Sequence, residues 1–85
     1  MGALEEVLAQ KSVVLNAVIG GMRQRHEFFI EREETAFGKI PYLACRRALP
    51  VSEMMRIASE SGLPVKCPGQ KVFPNGKGPK DFAGL

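Results

Sequence analysis

From Leu4 onward the apolar positions recur at helical spacing. Leu4, Leu8, Lys11, Leu15, Val18 and Met22 step by four, three, four, three and four residues, which is a heptad seam broken once by Lys11. Val7, Val13, Val14, Ala17 and Ile19 widen that seam until most of the circumference needs cover. The pattern predicts a long first helix. At Gly20-Gly21 it predicts a kink or break, because each glycine in a helix interior costs about 1 kcal/mol relative to alanine. Beyond the glycines, "MRQRHEFFIEREETAFG" is rich in long charged residues and predicts a second helix stopped at Gly38. Within it Glu27 and Glu31 form a like-charge pair that prefers solvent or a basic neighbour.

Pro41 suits the first turn of a short third helix, Tyr42 to Leu49, where its missing amide hydrogen is not needed; Pro50 ends it. Ser52 then reads as the N-cap of a fourth helix, Glu53 to Ser61, with Glu53 favouring the helix dipole and Gly62 closing the end. Val65–Cys67 and Lys71–Phe73 are β-prone runs joined by Cys67-Pro68-Gly69-Gln70, which has the proline and glycine placement of a type II turn. The last stretch, "PNGKGPKDFAGL", holds too much glycine and proline for regular structure. The expected architecture is therefore mostly α. A small helical domain of about four helices occupies residues 1–62, its first two helices long or kinked at Gly20-Gly21. A short β-hairpin follows at 63–74 and an extended Pro/Gly-rich tail at 75–85.

Eighty-five residues fit a single small domain, which leaves a large share of its surface exposed. The net charge of +3 hides an asymmetry: residues 1–34 hold four bases against six acids, and residues 35–85 hold eight bases against three acids. Such a split speaks to partners rather than to fold. Glu5 and Glu6 stand where a secretory leader would be basic, and the longest uncharged run, Ser12 to Met22, is short for a membrane span. A cytoplasmic protein with no transmembrane segment of its own is expected. In that setting Cys45 and Cys67, 22 positions apart, are expected as free thiols.

The segment "SEMMRIASESGLPV", Ser52 to Val65, resembles the first helix and turn of helix-turn-helix sequences, with small Ala58 and the turn glycine Gly62 in suitable places. That resemblance implies a recognition helix after the turn. Pro68, Gly69 and Pro74 stand there instead. In another register, Tyr42–Leu49 and Glu53–Ser61 form the helix pair and residues 65–73 a wing, as in winged-helix domains. "GKGPK" lacks the spacing of a phosphate loop and the helix that must follow one.

His26, Cys45 and Cys67 are the conventional soft metal ligands and lie far apart, whereas a closed zinc site needs four, so no metal or cofactor is expected. A lone histidine with no evident nucleophile beside it argues against an enzyme. Cys45 precedes Arg46 and Arg47, whose charge favours a thiolate, and Cys67 sits at a turn. If the ribbon folds back on the third helix, the two cysteines could form a reversible disulfide.

These features together predict a small accessory or regulatory subunit that binds a larger protein complex or enzyme. Its expected partner-binding residues are Leu4, Leu8, Leu15 and Val18 on the apolar helices, and Lys66, Lys71, Phe73, Lys77, Lys80 and Phe82 in the basic C-terminal region. Gating or inhibition sensitive to oxidation at Cys45 and Cys67 is part of that expectation. Self-association through the seam is a further possibility, and a winged-helix-like nucleic-acid binder is the alternative.

Overall fold

In a computed structural model describing residues 3–85, strand rather than helix dominates. Met1 and Gly2, with which the expected first domain begins, lie outside the described residues. The short helix α1 (Ala3–Leu8) leads into β1 (Ser12–Ile19), β2 (Met22–Thr35) and β3 (Gly38–Cys45). Helix α2 (Val51–Ser61) follows, then β4 (Val65–Cys67), β5 (Gln70–Val72) and a 3₁₀ turn at Pro79–Phe82. The five strands form one sheet in the order β1-β2-β3-β4-β5. The mostly α expectation is thus overturned. Of the four helices expected, only the fourth, α2, runs beyond two turns among the described residues.

The seam from Leu15 to Met22 misleads because a nearly continuous apolar run satisfies a period of two as well as 3.6. In β1, Leu15, Ala17 and Ile19 pack into the core, while Val14 and Asn16 are exposed. Across the turn the alternation continues: His26 and Phe28 are buried, and Arg23, Arg25 and Glu27 point out. Gly20 and Gly21 adopt φ of 59° and 80°, and Ile19 pairs directly with Met22. Two positive φ values in a two-residue loop make the turn whose twist suits a hairpin, and two glycines supply them without steric cost. The glycines are a hairpin turn, not a helix kink.

The fourteen residues of β2 serve two hairpins. Its first part pairs with β1 and its second with β3, and only Phe28 and Phe29 have partners on both sides. At the second hairpin tip Thr35 Oγ1 donates to the Gly38 carbonyl at 2.6 Å and accepts the Phe37 amide at 3.1 Å. The expected third helix, Tyr42 to Leu49, is absent because residues 42–45 belong to β3. Pro41 fits there for a directional reason. The Leu43 amide bonds outward to the Pro64 carbonyl at 2.9 Å, so the position two residues earlier also faces away from β2. Pairing with β4 begins only at Leu43, and the missing amide of Pro41 interrupts no ladder.

A parallel partner for β3 requires a crossover, and α2 supplies it. The helix starts at Val51 after Pro50, not at Glu53 behind a Ser52 N-cap, and has no side-chain N-cap. Gly62 ends it at φ 76°, its amide bonded to the Ala58 carbonyl at 2.8 Å. Pro68-Gly69 turns β4 into β5, with Gly69 at φ 79°. No recognition helix follows α2, and 42–45 are strand, so neither helix pair suggested by the sequence forms.

Met54, Ile57 and Ala58 of α2 enter one core with Ala17, Phe28, Leu43, Leu63 and Val65. The helix touches β4 and β5 at one end of the sheet and β1 at the other, so it bridges the two edge strands. The C-terminal stretch packs back as well. Phe82 is buried 6.0 Å from the Phe73 ring, which lies 5.9 Å from Tyr42. His26 is buried on β2, and its Nε2 has no hydrogen-bond partner among the described residues. No described helix is long and apolar enough to cross a membrane.

Candidate functional site

Where α2 meets β1 the sheet leaves a groove of about 810 Å³. Leu4 and Val7 of α1, Leu15 and Val18 of β1 and Ile57 of α2 give it apolar walls; Arg23, Glu53, Arg56 and Glu60 give it charge. Val14, half exposed, and Asn16 complete the β1 side. The size falls within the range of about 300–1,000 Å³ usual for ligand sites.

A pair of side chains from α2 occupies part of the outer edge of β1. Glu53 Oε1 accepts the Val18 amide at 2.8 Å, and Arg56 Nη2 donates to the Asn16 carbonyl at 2.9 Å. The two are joined to each other, Arg56 Nη2 to Glu53 Oε1 at 2.9 Å, and Arg56 Nη1 reaches both Glu60 oxygens at 3.1 Å. A carboxylate and a guanidinium thus stand in for the acceptor and donor that a neighbouring strand would offer. The Arg56 hydrogen bond, then the Val18 amide, holds the Glu53 carboxyl below its ordinary value.

On the opposite edge, Lys66 and Lys71 converge on the acids of β2. Lys66 pairs with Glu33 and, at 3.3 Å, with Glu31; Lys71 meets Glu33 at 2.7 Å and lies over the Tyr42 ring. Lys66 foremost, then Lys71, lowers the pKa of Glu33. Glu33 and Glu53, both depressed, contribute stability that is present at neutral pH and lost as pH falls through their lowered values. Denaturation midpoints followed from pH 7 downward should therefore hold down to the usual carboxylate range, begin to decline within it and go on declining until the lowered values are passed. In the double variant Glu33→Gln with Glu53→Gln the decline should be shallower.

The residues expected to contact a partner are dispersed. Leu4, Leu15 and Val18 line the groove, and Leu8 packs against the core. Lys66 and Lys71 are engaged by Glu31 and Glu33, Phe73 and Phe82 sit within the folded chain, and Lys77 and Lys80 are exposed. Sequence reasoning missed Val7, Val14, Asn16, Arg23, Ile57 and the Glu53–Arg56–Glu60 row. The available signal was that row's spacing of three and four residues on a helix, which places all three on one face.

Cys45 ends β3 and Cys67 ends β4; the register Leu43↔Val65 and Ala44↔Lys66 brings the two buried thiols alongside one another. Burial first, then the neighbouring Cys45, pushes the Cys67 thiol up to about 11. Exchange chemistry depends on the thiolate. In a thiol-reagent assay at pH 7 the folded protein should react far more slowly than the same protein in denaturant, where two thiols titrate at once. No group of three or more His, Cys, Asp or Glu among the described residues is placed to hold a metal ion.

A five-stranded sheet with a parallel β3–β4 crossover and a helix-walled groove at its first edge describes this chain. No family model matches it, nor does any curated protein or solved structure.

Proposed function

We propose that this protein is a small non-enzymatic accessory subunit, acting in the cytoplasm, that holds a segment of a larger protein in the groove between β1, α1 and α2. The observation that carries the reading is the groove itself, in which Leu4, Val7, Leu15, Val18 and Ile57 converge beside a strand edge. Its charges are two arginines and two glutamates, Arg23 and Arg56 with Glu53 and Glu60, so they favour neither a polyanion nor a polycation. A nucleic-acid binder draws less support, because Lys66 and Lys71 of the basic half are already paired with acids. The two cysteines belong to the core in this reading, since the raised Cys67 pKa opposes a redox switch.

Affinity purification from the native cell, compared across variants, tests the proposal. A protein recovered with the wild type should be lost with Val14→Arg, which places a charge in the groove, and kept with Lys77→Glu and Lys80→Glu. Loss with the lysine variants and retention with Val14→Arg would move the contact to the C-terminal stretch and end this reading.

A further inference from the structure

The groove has a wall that most apolar clefts lack, namely the backbone of an edge strand. Beside the two-residue turn Ile19 pairs with Met22. Asn16 and Val18, by contrast, use a carbonyl and an amide on the side away from β2, where Arg56 and Glu53 meet them. Successive same-facing residues along a strand are two apart, so the amide and carbonyl of Val14 point the same way into the groove. Among the described residues no turn, loop or side-chain hydrogen bond reaches them, and Val14 is 50% exposed. Across from this edge stand the helix residues Leu4, Val7 and Ile57. The groove therefore offers backbone hydrogen bonds along one side and apolar contacts along the other.

From this geometry we infer that the partner segment binds as an added β-strand along the outer edge of β1, and that Glu53 and Arg56 form a latch over Asn16–Val18 that must swing away for full pairing. The inference rests on the groove being the binding site and specifies how the site is used. The occupant it selects is an extended segment of a partner protein with alternating apolar residues. Backbone pairing supplies affinity in this mode, and pockets for every second side chain supply specificity. The balanced rim leaves no field to favour a highly charged segment. The uncharged edge Ser12–Ile19 sets no like charge against the incoming chain. The latch also accounts for an edge strand eight residues long that would otherwise invite indiscriminate pairing.

Panning a phage-displayed library of linear peptides on the immobilised full chain supplies the probe, and calorimetry on the selected peptides supplies the affinities. Val14→Pro removes the outward amide while leaving the β1–β2 ladder intact, since proline is tolerated on edge strands. It should weaken binding about tenfold or more, a difference that one or two lost backbone hydrogen bonds to a bound strand can account for. Val14→Ala, which keeps the amide, should weaken it less. Joint replacement Glu53→Ala with Arg56→Ala should tighten binding severalfold by opening the latch. Amide hydrogen exchange gives a readout that needs no variant: the Val14 amide exchanges quickly in the free protein and is protected when peptide binds.

Peptides that bind equally well to Val14→Pro, are blocked by Val14→Arg and leave the Val14 amide unprotected would overturn strand addition while preserving the groove as a binding site. Failure to select any peptide, or selection of peptides indifferent to Val14→Arg, would remove both readings. A dimer in sedimentation with the Val14 amide already protected would assign the edge to a second copy of the chain and overturn the inference. Unchanged or weaker binding by the double alanine variant would refute the latch.

Discussion

Phe28→Ala is expected to destabilise the protein by about 3–5 kcal/mol, the usual cost of emptying a buried phenylalanine site. The ring is fully buried, and the residue stands at the overlap of the two hairpins, paired with Val13 of β1 and Cys45 of β3. Its loss opens a cavity at the point where the sheet is held together by a single shared strand. Small domains have total stabilities toward the low end of about 5–15 kcal/mol, so the variant should be largely unfolded or melt far below the wild type. Urea denaturation followed by circular dichroism measures the difference. Phe37→Ala at the exposed tip of the second hairpin serves as control and should shift stability by no more than about 0.5 kcal/mol.

Phe82→Ala should cost about 3 kcal/mol, although the residue lies only three positions from the C-terminus. Phe82 is 4% exposed, and its ring ends an aromatic series that runs through Phe73 to Tyr42 of β3. The stretch Pro79–Phe82 forms a 3₁₀ turn, with Asp81 accepting the Gly78 amide at 2.8 Å, and this turn aims the ring inward. Deleting Pro74–Leu85 should accordingly lower the denaturation midpoint by at least as much as Phe82→Ala. A truncated chain as stable as the wild type would show that the closing residues contribute nothing to the fold. Loss of partner binding on truncation is therefore informative only alongside a stability measurement.

Several local features were readable from residue order. Gly62 ends α2 in the left-handed conformation, and Pro68-Gly69 makes the turn between β4 and β5. Each depends on a backbone preference carried by the residue itself. The first half of the chain was misread for an equally physical reason. Spacing of three and four residues through Leu15, Val18 and Met22 coexists with alternation through Leu15, Ala17 and Ile19, and a run so apolar does not choose between them. The deciding signals were Gly20-Gly21 as a hairpin turn and the β-branched residues Val13, Val14, Val18 and Ile19, whose stiff side chains favour strands. Of the three groove residues that carry the helical apolar spacing, Leu4 lies on α1, but Leu15 and Val18 belong to β1.

Glu53 shows the same division most clearly. Its place in the first turn of a helix follows from the residues around it, and a carboxylate there suits the helix dipole. That it also accepts the Val18 amide, with Arg56 on the Asn16 carbonyl, depends on a crossover that carries α2 from β3 back past β1. The Pro68-Gly69 turn and the Gly62 helix end are set by interactions a few residues long, and the order of residues suffices for them, whereas the apolar run of β1 takes its period of two only when paired with β2. The meeting of Cys45 with Cys67 and the contacts of Glu53 and Arg56 with β1 join positions 22 to 40 residues apart. Such contacts arise only when the whole sheet closes over α2 and buries one apolar core, so they are properties of the assembled fold.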